Sequence, residues 1–493
     1  MTPATLALRV ECRGTPHDDT LATLEALAGK NPGALDLRFA YACMLEDFGR
    51  LGPARDAYDA LLAAAPQHFG ALTNRGTMAF VDGDTSTAFA FYLRAARHHP
   101  HEAAAFANLG TVLTETGDVA AAQVAYERAC AIDPAFAPAR LALARFASAA
   151  GDAPATAAHR AAAFATPIVQ LQPFRGRGTP LRIVLLLAAD GGNLVKTLLF
   201  DDRCVALTSL VVESWNGAPL PPHDAIVNGI ADADRSGAAL ACANALLVAN
   251  GVTAINPPDA VLRTGRVDVA RRLRDLDGVI TPRLERVARA GLSDAALAAR
   301  GWTFPFLVRA AGYHSGRHFE RIDAADGLAR ARAALPGDDF FIIEPLATRS
   351  ADGYHRKYRV LFVGGVLCPL HVAISPHWKV HYFSAAMDRH DAHRAEEARF
   401  LHDMPAHIGA RACDALGRIR DALGLDYGGI DFGLDDAGRV LLFEANASMA
   451  VYVPGGDAFA YRRPAAERVL ASFGALLSAR ASRGRGAETV PGC

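Results

Sequence analysis

Asp426-Tyr-Gly-Gly-Ile-Asp431-Phe-Gly-Leu-Asp435-Asp-Ala-Gly-Arg-Val-Leu-Leu-Phe-Glu444-Ala-Asn446-Ala-Ser-Met449 decides the reading of the C-terminal half. It reads as strand, Asp-Asp-Ala-Gly turn, strand: a β-hairpin. Asp431 falls on the first strand, and Glu444 and Asn446 fall on the second. Residues two apart on a strand share a face, so Glu444 and Asn446 point the same way. Three hard oxygen donors on one side of a hairpin, among apolar neighbours, suit Mg²⁺ bridged to phosphates. The alternative is an amphipathic hairpin with ordinary exposed polar positions.

Moving toward the N-terminus from the hairpin, further segments fall into an order. Asn256-Pro-Pro258, Thr264-Gly-Arg266 and Thr281-Pro282 come first, then Phe304-Pro-Phe-Leu-Val-Arg309 and Gly312-Tyr-His-Ser315-Gly316. Asp339-Phe-Phe-Ile-Ile-Glu344-Pro-Leu346 and Lys357-Tyr-Arg359-Val-Leu-Phe-Val-Gly-Gly365 follow. In this order, over about residues 181–475, the chain resembles the ATP-grasp superfamily, which includes D-alanine–D-alanine ligase, glutathione synthetase and the ligases that add glutamate to ribosomal protein.

The resemblance implies a fold, a chemistry and a set of sites. Asp431, Glu444 and Asn446 would hold Mg²⁺, two ions in the family, or Mn²⁺ in their place. Arg309 stands where relatives carry a phosphate-binding Lys, and Arg can still clamp phosphate with two donors. Ser315 and Gly316 would belong to the mobile loop that closes over the phosphates. Glu344 and Leu346 would lie on the hinge whose backbone reads adenine, and Arg359 would reach a phosphate. Solvated strand ends are the plain reading of each basic residue. Two positions depart from the relatives: Lys357 where they often carry an acid, and Gly429 where the D-alanine ligases carry a catalytic Arg.

Between these segments runs Cys368-Pro-Leu-His371-Val-Ala-Ile-Ser-Pro-His377-Trp-Lys379-Val-His381. In the relatives this region lines the acceptor site; on pattern alone it is equally an amphipathic strand. Strand spacing would hold His377 and His381 roughly 13 Å apart, too far for one metal ion. The helix expected from Asp391 to Asp403 presents Glu396 and Glu397 as a solvated face.

From about 181 to 258 the pattern alternates between strand and helix. Strands are expected at Arg182–Ala188, Cys204–Val212, Asp224–Gly229 and Val252–Asn256, with a helix at Ser236–Asn250, giving a small α/β layer. Two motifs here fail on chemistry. Gly191-Gly-Asn-Leu-Val-Lys-Thr197 has Val195 where a phosphate loop needs Gly. Asp232-Ala-Asp-Arg-Ser-Gly237 starts like a calcium loop but reaches Ala243 at the twelfth position, where the bidentate Glu belongs. Thr166–Pro180, rich in Pro and Gly, reads as a linker.

The first third is a repeat. Pro32, Pro66, Pro100 and Pro134 are each 34 residues apart, and so are Gly49, Gly83, Gly117 and Gly151. Tyr58, Tyr92 and Tyr126 keep the period, as do Ala54, Ala88 and Ala122. This resembles the tetratricopeptide repeat, a helix–turn–helix unit. Gly allows the left-handed turn, Ala lets the two helices approach, Tyr fills the space between them, and Pro ends the unit. Three full repeats span 35–136, with a degraded fourth at about 137–165. Such an array is a structural spacer or a concave surface for a protein or peptide partner.

Composition closes off other classes. The 493 residues carry 51 Lys+Arg against 52 Asp+Glu, which argues against a globally basic nucleic-acid binder. Half the chain is apolar, so bulk disorder is excluded. No apolar run approaches the roughly 18 residues of a membrane span, and the N-terminus lacks the pattern of a signal peptide. The eight Cys are scattered, which is the pattern of reduced thiols in a cytoplasmic protein.

The expected organisation is therefore an all-α tetratricopeptide-like solenoid (1–165), a linker (166–180), an α/β layer (181–258), an α/β and α+β ATP-grasp fold (259–478) and a disordered tail (479–493). The expected activity is an ATP-dependent carboxylate–amine ligase, with small-molecule or peptide carboxylate and amine substrates. A nucleotide-binding scaffold and a plain phosphoryl-transfer enzyme are the rivals. The sequence specifies neither the oligomeric state nor the roles of His371, His377, Lys379 and His381.

Overall fold

The computed structural model describes residues 17–486, apart from 48–49, 173, 177, 197, 314–315, 448 and 453–456. The chain divides into two compact units. One comprises residues 1–180 with 202–206 and 214–216; the other comprises 181–201, 207–213 and 217–493.

The first unit begins with α1 (His17–Lys30) and continues as four helix pairs. These are α2 (Leu35–Asp47) with α3 (Leu51–Ala64), α4 (Phe69–Val81) with α5 (Thr85–His98), α6 (Ala103–Glu115) with α7 (Val119–Ile132), and α8 (Ala137–Ala149) with α9 (Ala153–Ala163). First helices start at 35, 69, 103 and 137 and second helices at 51, 85, 119 and 153, so the 34-residue period of the sequence is a period of structure. The region resembles a tetratricopeptide solenoid. The fourth pair keeps the register despite its lost Tyr, and α1 starts one period before α3, in the register of a second helix.

The period has physical causes. Gly83, Gly117 and Gly151 take φ of 82°, 84° and 75° in the turns; Gly49 lies outside the described residues. Asp84, Asp118 and Asp152 cap the second helices, each accepting from the backbone N–H three residues on. Tyr92 and Tyr126 are buried against Gly76 and Gly110, where a Cβ would stand 2.7 and 2.9 Å from the rings.

The segment expected as a linker contains strand β1 (Val169–Gln172). In the second unit, β2 (Leu181–Leu187) runs parallel to β4 (Ala225–Asn228), with β3 (Val205–Val211) at its other side and the helix Gly237–Asn250 following. The strand expected at Val252–Asn256 is reduced to a single parallel bridge, Ile255 pairing with Val227 of β4. Asn256 adopts φ 56° there, and its side chain pairs with the backbone of Tyr427 at both N (2.8 Å) and O (2.8 Å).

Two antiparallel-rich sheets carry the rest. One has the order β11-β10-β12-β13-β5, from β5 (Val279–Ile280), β10 (His355–Val363), β11 (Val366–Ser375), β12 (Tyr427–Leu434) and β13 (Val440–Asn446). The other has the order β6-β9-β7-β8, from β6 (Leu284–Ala288), β7 (Phe306–Ala310), β8 (Phe319–Ile322) and β9 (Asp339–Ile343). The hairpin β12–β13 forms as read, closed by Asp435, whose Oδ1 accepts from Ala437 N and Arg439 N. A bulge at Phe443 interrupts the register between Asp431↔Glu444 and Phe432↔Leu442.

Three further expectations need correction. The final helix, Arg463–Gly486, extends well into the tail expected to be disordered. Glu397 is fully buried, not solvated: Tyr382 (3.0 Å) and Tyr461 (2.5 Å) donate to it and Arg462 lies 3.4 Å away. His377–His381 is not strand, because β11 stops at Ser375, before Pro376, which has no N–H to continue the ladder. Among the described residues no helix is long and apolar enough to cross a membrane.

Candidate functional site

The second unit holds a cavity of about 570 Å³ lined by both large sheets and by the loops after β2 and β4. Its character changes along the strands. On β7 the lining passes from Leu307 to Arg309, and on β13 from Leu442 to Glu444 and Asn446. Pro282, Leu284, Ile343 and Leu346 add to the apolar side. Eight Lys and Arg side chains line the cavity against five Asp and Glu, so its field favours an anionic guest.

The charged centre is a row across adjacent strands. His371 on β11 stands opposite Arg359 on β10, which stands opposite Asp431 on β12, which stands opposite Glu444 on β13. Arg359 Nε and Nη2 donate to Asp431 Oδ1 and Oδ2 at 2.6 and 2.7 Å, and Lys357 Nζ donates to Oδ2 at 3.0 Å. Glu444 Oε1 accepts from Arg266 Nη2 and Asn446 Nδ2, both at 2.8 Å. Arg266 also takes Asp234, its backbone N donating to Oδ2 at 3.1 Å.

Burial and pairing set the protonation states together. Burial raises the Asp431 carboxyl, but Arg359 and Lys357 overcome this and hold it well below the usual carboxylate range. Burial likewise opposes the Glu444 charge, and Arg266 and Arg309 pull its pKa down overall. Arg309 is pushed down to about 10 by burial and by the neighbouring Arg266, which leaves it cationic at neutral pH. Burial holds His371 neutral, its pKa well below the ordinary value, with Nδ1 unpartnered.

The other expected residues fall as follows. Arg309 is buried and turns its guanidinium onto Tyr313 O (Nη2 2.7 Å), so it holds the chain at Tyr313. Gly316 lines the cavity with φ 71°, while Ser315 lies outside the described residues. Lys379 reaches across to donate to Phe319 O at 3.0 Å, and Trp378 meets the Phe319 ring edge-on at 5.4 Å. Leu346 and Glu344 both line the cavity, but the Glu344 N–H donates to Arg283 O (2.9 Å). His381 lines the cavity. A Cβ at Gly429 would stand 2.4 Å from Met449 Cγ, so the strand is closely packed against Met449 there.

Asp431, Glu444 and Asn446 are thus brought together, as hard oxygen donors suited to Mg²⁺. Both oxygens of Asp431 are turned toward β10 and engaged. Both hydrogen bonds that Glu444 accepts among the described residues fall on Oε1, so Oε2 keeps its lone pairs. Among the described residues no three His, Cys, Asp or Glu converge as a ligand set, so any ion here depends on the Asn446 amide and on its guest's own oxygens. Sequence reasoning passed over Arg266 as an electrostatic partner, although it noticed the Thr-Gly-Arg segment. Nothing in that motif announces a carboxylate 178 positions away.

No family model matches the chain, and no curated protein matches it. Among solved structures it is similar to MamA (41-end) from Desulfovibrio magneticus RS-1, at 18% identity over 32% of this chain and 92% of that one, with a TM-score of 0.28. It is also similar to TTC0263, a thermophilic TPR protein in Thermus thermophilus, at 22% identity over 30% of this chain and 82% of that one, with a TM-score of 0.26. Both are likenesses over the N-terminal helical region. The tetratricopeptide-like architecture rests on the 34-residue helix spacing.

Proposed function

We propose that the second unit is an ATP-dependent carboxylate–amine ligase of the ATP-grasp type. The observation that carries the reading is one cavity that changes from apolar to charged along β7 and β13 and collects Arg266, Arg309, Lys357 and Arg359 from separate segments. A nucleotide triphosphate has this polarity: an apolar base at one end and concentrated negative charge at the other. Pro282, Leu284, Leu307, Ile343 and Leu346 suit the base, and the hinge at Glu344–Leu346 suits its polar edge.

The reaction transfers the γ-phosphoryl group to a substrate carboxylate. The carboxylate oxygen attacks phosphorus, the bond to the ADP oxygen breaks, and an acyl phosphate results. An amine then attacks the acyl carbon, orthophosphate leaves, and the amine proton passes to solvent or to phosphate. Such a transfer depends on neutralising charge that moves between oxygens, more than on covalent help from the protein. Arg309 and Arg359 supply fixed positive charge, Arg309 while held to Tyr313 O. Mg²⁺, when bound on the β12–β13 residues, would supply further neutralisation. The array of helix pairs would recruit a protein, peptide or carrier substrate.

Incubation with ATP, hydroxylamine and pools of carboxylates tests this reading. The expected outcome is a hydroxamate with stoichiometric ADP and orthophosphate. Stoichiometric AMP and pyrophosphate would replace the acyl-phosphate route with an adenylate route. The paired state of Asp431 favours one rival, a nucleotide-binding scaffold. Nucleotide retention with no product from any carboxylate pool would support that rival.

A further inference from the structure

The β10 position two residues before Arg359 holds a cation. Lys357 Nζ lies 3.0 Å from Asp431 Oδ2, and Arg359 grips both Asp431 oxygens. The Asp431 side chain is only 3% exposed, so its carboxylate has little freedom to turn elsewhere. On the far side of Arg359, β11 presents the buried His371. Asp431 is therefore engaged by β10 through both oxygens, although Glu444 is its direct cross-strand neighbour.

An ion shared by Asp431 and Glu444 would compete with Lys357 and Arg359 for the Asp431 oxygens and would sit beside both cations. Like charges at that distance in a poorly solvated site repel strongly. Glu444 is paired with Arg266 through Oε1 alone, so an ion at Oε2 displaces no cation.

We propose that Lys357 is a resident cation that takes the place of one divalent ion. The phosphate site of this chain then works with a single Mg²⁺, held on Glu444 and Asn446, while Asp431 serves as the anchor for Lys357 and Arg359. The proposal rests on the ATP reading above and narrows it from two metal ions to one. It assigns Lys357 a role in neutralising phosphate charge through a point-charge ammonium with three donors.

The test counts ions on the full-length protein. Mn²⁺ is titrated in the presence of the non-hydrolysable analogue AMP-PNP at one equivalent, free Mn²⁺ is read by electron paramagnetic resonance, and retained nucleotide is measured in parallel. The wild type should hold one Mn²⁺ per bound nucleotide. Lys357→Glu removes the cation and adds an oxygen ligand, so it should hold two. Two ions on the wild-type protein would overturn the proposal and leave the ATP reading standing, since Lys357 would then merely swing aside. One ion on both folded proteins would also overturn it, because Lys357 would then not be what excludes the second ion. If Lys357→Glu does not fold, Lys357→Met takes its place and should retain AMP-PNP several-fold more weakly at one Mn²⁺; unchanged retention would overturn the proposal. No retention of AMP-PNP by the wild type would overturn both readings.

Discussion

The helix pairs and the cavity are built by opposite strategies. In the first unit each structural task recurs every 34 residues: Asp84, Asp118 and Asp152 cap, Gly83, Gly117 and Gly151 turn, and Tyr58, Tyr92 and Tyr126 fill the same space. Its contacts join neighbours in sequence. In the second unit the ion pairs at the charged centre each occur once, between residues far apart along the chain: Arg359 with Asp431, Arg266 with Glu444. A repeated task tolerates a local defect, because each pair leans only on its neighbours. A unique buried ion pair has no such reserve.

That contrast is open to direct attack. The largest effect is expected from Asp431→Asn. An aspartate held only for a metal would be lost without structural cost, but here the change leaves the partly buried Lys357 and Arg359 without their buried counter-ion. A loss of about 3–5 kcal/mol follows for breaking a buried pair by removing one partner. Urea denaturation followed by circular dichroism measures it, and a loss below about 1 kcal/mol would return Asp431 to a purely ligating role.

An intermediate effect should appear with pH. His371 has its folded-state pKa depressed by burial, so the unfolded chain binds the extra proton first as pH falls. Its contribution is present above the unfolded value of about 6.5 and is lost as pH drops below it, at up to about 1.4 kcal/mol per pH unit. Comparing stability at pH 7 and pH 5 in wild type and His371→Gln isolates this slope from that of other histidines. Equal slopes in the two proteins would mean that His371 titrates normally.

The smallest effect is expected in the array. Asp118→Ala removes one of three equivalent helix caps and should cost about 1 kcal/mol. Hydrogen exchange should quicken in Val119–Ile132 and the effect should fade in Leu51–Ala64, two pairs away. Uniform loss of protection across all four pairs would show that the array unfolds as one body and would weaken the contrast drawn above.

Much of the molecule can be read without coordinates. The 34-residue period determined where helices start, which glycines turn and which tyrosines are buried, because local rules act on adjacent residues and repetition averages out their exceptions. Period-2 patterning determined the β12–β13 hairpin and brought Asp431, Glu444 and Asn446 together. Tertiary structure alone decided what those side chains touch. Asp431 faces Arg359 and Lys357, Glu444 is drawn to Arg266, and Glu397, on a helix that looked solvated, lies beneath Tyr382, Tyr461 and Arg462. The physical reason is that a charge is stabilised by whichever opposite charge the fold brings within a few ångströms in a poorly solvated place, and sequence separation does not enter that energy.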